Sequence, residues 1–145
     1  MKNKNLDTNI SDAEWEVMRI VWTLEKAYIS QIIDQLKAKK DRSESTIKTL
    51  MRRLVQKGLL TTKKDGRKFI YIPTVSQVEM MHQAASSLLN KMCDMHKGEV
   101  ILELLKEAPI SKGDLMKMTE EIDKKEKNAP EMVPCNCLKN GSTVC

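Results

Sequence analysis

At 145 residues the chain has room for one ordinary domain or two small ones, and 41% apolar content supports a packed core. Aromatic residues make up only 3%, which disfavours stacking on single-stranded bases, and no run of about 18 apolar residues exists to form a membrane-spanning helix. The formal charge of +5 is uneven: residues 1–75 hold 16 Lys and Arg against 9 Asp and Glu, whereas residues 76–145 hold 9 against 11, so the first half suits a polyanionic partner and the second half another task.

Residues 1–10 are polar, expected to be loose, and contain no apolar signal core, which predicts a cytoplasmic chain. Ser11-Asp12-Ala13-Glu14 spells a capping box with Ile10 as a hydrophobic staple, and Trp15, Met18, Val21 and Trp22 follow at helical spacing to about Glu25. At that spacing the two Trp read as core anchors before ligand-stacking groups. Ser30 is placed to cap a second helix with Ile32, Ile33 and Leu36 inward and Lys37, Lys39 and Lys40 trailing.

Ser43 is placed to cap a third helix, in which Ile47, Leu50, Met51 and Leu54 share one face. The other face carries Ser45, Lys48, Thr49, Arg52 and Gln56, with Thr46 near the start and Arg53 at the edge. Gly58 sits where a left-handed C-terminal cap belongs. Asp65-Gly66 then signals a tight turn between strands over Leu59–Lys64 and Arg67–Ile72, and Pro73 ends the pair. From Lys37 to Lys68 twelve cations stand against three acids. Such a charge run alone fits a solvated face. Joined to a capped helix with a Ser/Thr/Arg face and a basic hairpin, it predicts a winged helix-turn-helix for double-stranded DNA. In that reading Lys48, Thr49 and Arg52 face the base edges, with Ser45 and Thr46 near the helix start and Arg53 at the edge of the DNA-binding face, and Lys63, Lys64, Arg67 and Lys68 on the wing mostly hold phosphates.

Ser76-Gln77-Val78-Glu79 is a second capping box. Val78, Met81, Ala85, Leu88, Met92 and Met95 then run at alternating spacings of three and four, a heptad seam. It reads as a helix pairing with a second subunit or as an ordinary intrachain amphipathic helix; the DNA-reading half before it favours a dimer with Val78, Met81, Ala85, Leu88 and Met92 at the seam. Val100–Leu105 forms a short apolar helix stopped by Pro109, and Ser111 starts another with Leu115, Met118 and Ile122 inward. The ten Met read mostly as core filler. Beyond Lys127 the prolines and Gly141 argue for a flexible tail holding Cys135, Cys137 and Cys145. Cys-x-Cys is a soft-metal signature, suited to Zn(II) or Cu(I). Cys93 reads as a small buried hydrophobe before a ligand, and His96 near it as a solvent-facing residue or half of a ligand pair. Two His outside any hydrolase spacing, and no glycine-rich phosphate loop, argue against an enzyme. The expected layout is mainly α: a winged helix with three helices and a β-hairpin over 1–75, helical dimerisation over 76–127, and a Cys tail over 128–145.

The runs ISDAEWEVMRIVW, STIKTLMRRLVQKGLL and KKDGRKFIYIP resemble the penicillinase-repressor family of bacterial transcription repressors, and the Cys-x-Cys tail is similar to its copper-responsive, CopY-type branch. The resemblance implies a homodimer that represses from a dyad-symmetric operator. For the copper branch it implies zinc on the tail thiols in the DNA-bound form, and Cu(I) in the released form that switches on copper-export genes. A same-fold repressor answering a non-metal signal, such as a β-lactam-linked protease, is the alternative, and a thiol metal carrier a more distant one.

Two departures follow. The branch pattern CxCxxxxCxC matches Cys135 and Cys137, but its second pair falls on Ser142 and Val144, with Cys145 one place beyond. Three tail thiols then require a fourth ligand from Cys93, a His, water or another subunit. In the antibiotic-responsive branch an Asn-Phe bond is cut; the matching place here is Glu103-Leu104, which disfavours release by proteolysis.

Overall fold

The structure, a computed structural model, describes residues 9–39 and 42–145. Most of the expected loose N-terminal stretch, and the charges at Lys40 and Asp41, lie outside the described residues. Two compact units divide the chain, Met1–Ala85 and Ser86–Cys145.

In the first unit α1 (Asp12–Leu24), β1 (Ala27–Tyr28), α2 (Ile29–Lys39), α3 (Glu44–Gln56), β2 (Leu60–Asp65), β3 (Lys68–Pro73) and the start of α4 (Gln77–Asn90) follow in order. The capping box forms as expected: Ser11 Oγ accepts from the Glu14 N–H at 3.1 Å, and Glu14 Oε1 accepts from the Ser11 N–H at 3.3 Å. Met18, Ile32, Leu36, Ile47, Met51, Leu54, Leu59 and Met80 are fully buried together in one core, with Trp15 and Trp22 packed on its edge. The tryptophan rings lie 6.0 Å apart, and Trp22 Nε1 donates to the Val75 carbonyl at 2.9 Å.

Three expectations are corrected. The sheet has three strands in the order β1-β3-β2, not two, because Ala27 and Tyr28 pair antiparallel with Tyr71 and Ile70; two residues are too few to show alternation. Ser30 does not cap α2. The helix begins one residue earlier, and the Gln31 side chain accepts from the Tyr28 N–H at 2.8 Å. The hairpin also shifts by one residue: Asp65 pairs with Lys68, leaving Gly66 and Arg67 as the turn. Gly66 has φ 64 and takes the first turn position, where a type II′ hairpin requires glycine.

In the second unit the end of α4 leads to a single 3-10 turn at Asp94–His96, then α5 (Lys97–Glu107), α6 (Lys112–Glu126) and the tail. The heptad seam does not continue as one helix. α4 stops at Asn90, and the Lys91 and Met92 N–H groups turn back to the Leu88 and Leu89 carbonyls. Met92 and Met95 therefore lie outside the helix that carries Val78, Met81, Ala85 and Leu88. Cys93 is extended, with φ −62 and ψ 131, which ends helical hydrogen bonding. Pro109 follows the end of α5 and Ser111 caps α6 as expected. Leu115, Met118 and Ile122, expected to face inward, are exposed on the single chain, as are Ile101, Leu102 and Leu104.

Candidate nucleic-acid interface and thiol cluster

The α3 sequence fixes which of its residues reach solvent. Ile47, Leu50, Met51 and Leu54 are buried and Val55 is half-buried against the core, so the polar positions face outward. Ser45, Thr46, Lys48, Arg52 and Arg53 are exposed and Thr49 half-exposed. Ser43 caps the helix by accepting from the Thr46 N–H at 3.2 Å. Thr49 donates its hydroxyl to the Ser45 carbonyl at 3.0 Å, which commits its one polar hydrogen to the helix. The other end closes as a Schellman motif: the Leu59 N–H bonds to the Leu54 carbonyl and the Gly58 N–H to the Val55 carbonyl, both at 3.0 Å, with Gly58 at φ 79.

Both ends of α3 are tied to α1. Arg42 lies 3.7 Å from the Glu16 carboxylate, and Lys57 3.0 Å from that of Glu14. Glu14 is only 3% exposed. Burial opposes its ionisation, but the Lys57 ammonium and the hydrogen bonds from Ser11 outweigh that and hold its carboxyl below the usual range. Lys37 pairs with Glu44 at 3.0 Å; this hydrogen bond and charge lower the Glu44 carboxyl. Lys37, Arg42 and Lys57 are thus occupied within the chain. Lys48, Arg52 and Arg53 remain as outward cations on α3, beside the wing.

On the wing Lys63, Lys64, Arg67 and Lys68 are all exposed. The wing is braced from below by a residue that periodicity did not single out. The Tyr28 hydroxyl donates to Asp65 Oδ2, a bond that raises the phenol above its ordinary value. Lys68 Nζ lies 5.5 Å from the centre of the same ring, within cation–π range. Tyr28 therefore ties β1 to the wing tip.

In the second unit four sulfurs converge. The Sγ atoms of Cys93, Cys135, Cys137 and Cys145 all lie within 4.8 Å of one another, and Cys137 and Cys145 are 3.5 Å apart. All four are free cysteines. With zinc–sulfur bonds of about 2.3 Å, a tetrahedral site needs sulfurs about 3.8 Å apart, a spacing these separations bracket. The donor set therefore fits a soft or borderline metal ion. His96 lies outside the cluster, its Nδ1 3.7 Å from the Glu99 carboxylate.

Local backbone bonds explain the convergence. Cys135 and Ser142 exchange two backbone hydrogen bonds, at 2.8 and 3.2 Å. The Ser142 hydroxyl donates to the Val144 carbonyl at 2.6 Å and accepts from the Val144 N–H at 3.0 Å. Ser142 and Val144, which replace the expected second thiol pair, thus build the turn that returns Cys145 to Cys135 and Cys137. The tail, expected to be loose, is folded on itself here. The Cys137 N–H donates to Cys135 Sγ at 3.3 Å. Burial disfavours the Cys93 thiolate, but hydrogen bonds from Cys145, the Met95 backbone, Cys135 and Cys137 bring it down to about 6. The Cys145 thiol is pushed well up, first by its hydrogen bond with Cys93 and then by those with Cys135 and Cys137. Cys93, which reads first as a small buried hydrophobe of the helical part and only second as a ligand, is half-buried and stands with the three tail thiols; the C-x-x-H pair with His96 points to it, but for a partner the cluster does not contain.

Residues 10–124 match the family described as penicillinase repressor. The chain belongs to that family. An uncharacterised 16.5 kDa protein from the ptsI 3′ region of Latilactobacillus sakei is 44% identical over 131 residues, 90% of each chain. The methicillin resistance regulatory protein MecI of Staphylococcus aureus (strain N315) is 31% identical over 125 residues, covering 86% of this chain and 100% of its own length. The solution structure of the DNA-binding domain of the repressor BlaI is 36% identical, with a TM-score of 0.46, and covers 53% of this chain and 90% of that one. As a member of the penicillinase-repressor family, the chain is a DNA-binding transcriptional repressor with a winged-helix unit, and not an enzyme. Among the described residues no helix is long and apolar enough to cross a membrane.

Proposed function

We propose that the chain is a cytoplasmic homodimeric repressor of copper-homeostasis genes whose grip on a dyad-symmetric operator is set by metal on its thiols. In this reading residues 1–75 read double-stranded DNA, 76–127 pair the subunits and 128–145 sense the metal. Ser45, Thr46, Lys48, Thr49, Arg52 and Arg53 meet the major groove, and Lys63, Lys64, Arg67 and Lys68 hold phosphates. Val78, Met81, Ala85 and Leu88 form the pairing face. Its support is exposure: Val78, Met81 and Leu88 are 76, 52 and 58% exposed on one chain, an apolar stripe that a second copy would cover.

The observation that carries the metal reading is the convergence of four thiols within 4.8 Å. Thiolates are soft donors that take Zn(II) as a tetrahedral set and accommodate Cu(I) with fewer ligands. The chain holds its thiols differently in the two cases, and only such a difference can shift operator affinity. Glu103 and Leu104, where the antibiotic-responsive branch has its cleavable bond, lie inside α5 and are not an Asn-Phe pair, which counts against release by proteolysis.

The test is a titration of Cu(I) into the zinc-loaded protein on operator DNA, followed by fluorescence anisotropy. Loss of affinity is the expected result. An affinity that stays unchanged through two equivalents of Cu(I) overturns copper release, and regulation that survives Cys135→Ser with Cys137→Ser moves the reading to a non-metal signal.

A further inference from the structure

We propose that Cys93 is the fourth thiolate ligand of the metal site, so that metal loading staples the tail to the end of α4. This rests on the metal-binding reading above and adds the point at which the metal acts on the helical region. Three tail thiols alone leave a tetrahedral ion one ligand short. Water, a histidine and a thiol of another subunit are the competing donors. Cys93 Sγ already stands within 4.8 Å of all three tail sulfurs in the same chain, whereas neither His belongs to that group.

A second contact, independent of the sulfurs, holds the same two segments together. The Asp94 N–H donates to Asn136 Oδ1 at 2.9 Å. Asp94 follows Cys93 and Asn136 lies between Cys135 and Cys137, so the backbone next to one ligand is fastened to the residue between two others. The position of Cys93 makes the link consequential. It lies just beyond Lys91 and Met92, whose N–H groups close the last turn of α4, and it is extended where a continued α4 would need it helical. A bond from its sulfur to a tail-held ion favours the extended state and fixes where α4 ends. An ion satisfied by two or three sulfurs can be held by Cys135, Cys137 and Cys145 without Cys93. The staple then opens, and the restraint on the α4 end is lost although metal is still bound.

The decisive experiment loads the full-length protein with 113Cd(II) and records cadmium–proton correlations. Correlations to the β protons of all four cysteines are expected. A spectrum with correlations from the three tail cysteines only overturns the proposal, and it needs no variant. As a second measure, Cys93→Ser should weaken Co(II) binding by at least the roughly 10–100-fold that loss of an outer-shell partner produces, and reduce the sulfur-to-cobalt absorption per metal. Unchanged affinity and absorption in the variant count equally against it. Amide exchange at Asp94 should slow on Zn(II) loading in the wild type and not in the variant. The operator titration answers a separate question: four cadmium correlations with no effect of Cu(I) on DNA keep the staple and remove copper regulation, and the reverse pattern does the opposite.

Discussion

Arg52 and Lys64 are both exposed cations, but one projects from α3 and the other from a strand of the wing. On the proposed roles, Arg52→Ala relaxes base preference by about 1–3 kcal/mol per lost base contact, whereas Lys64→Ala weakens every sequence alike and lowers the salt slope by about one. Operator and scrambled duplexes titrated at several salt concentrations separate the two; identical behaviour would refute the division of labour. Glu14 supplies a pH prediction. Its folded carboxyl lies below its ordinary value, so its contribution is complete above about pH 5 and is lost as pH falls through the depressed folded value, since the unfolded carboxyl near 4.3 takes up protons first. Glu14→Gln should cost about 1.5–3 kcal/mol at neutral pH, the range for a hydrogen bond to a charged partner, and should flatten the acid limb of stability measured by urea denaturation. At this scale the sequence announced Ser11, Ser43 and Ser111 as caps because each acts on a residue three positions on. It left Cys93 open between core and ligand, because its neighbouring sulfurs stand more than forty residues away in the chain, and it did not reveal Tyr28, whose partner Asp65 lies across the sheet.

Elements with strong local rules could be read before the structure was known. The helices announced themselves through apolar spacing and caps, and the hairpin through Asp65-Gly66. The two-residue β1 had no pattern to read. The start of α2 was misplaced because no Ser30 cap forms there; instead Gln31, inside the helix, reaches back to accept from the Tyr28 N–H. The seam through Met95 was periodic, yet periodicity does not report where a backbone turns away. The Schellman end of α3 yields a prediction of its own. A Cβ at Gly58 would meet nothing within 4 Å, so Gly58→Ala pays only for the left-handed backbone, about 1–2 kcal/mol, and Gly58→Asn should lose less. Denaturant midpoints with an unchanged slope would measure both. Tyr28→Phe leaves the wing paired but unbraced at its tip, and should speed amide exchange around Gly66 without moving that of α3.

At the scale of the molecule, the exposed stripe on α4 makes the oligomeric state the most informative property. Met81→Glu with Leu88→Glu places charge on the proposed pairing face and should yield monomers by sedimentation while leaving the circular dichroism unchanged. Operator affinity should fall with the loss of the second reading head. A dimer that persists moves the pairing face to the exposed apolar residues of α5 and α6.

The bond from Trp22 to the Val75 carbonyl, with Met80 buried among the core residues, has a geometric meaning for such a dimer. The first turns of α4 are not a tether leading away from the winged helix; they are part of its core and leave it in a set direction. Two copies joined along Val78 and Met81 would behave as a rigid caliper, with jaws that cannot slide to suit the DNA. Operators with one base pair added or removed between half-sites should therefore be rejected steeply, and Trp22→Phe, which deletes the donor and keeps an aromatic ring, should make that rejection more forgiving.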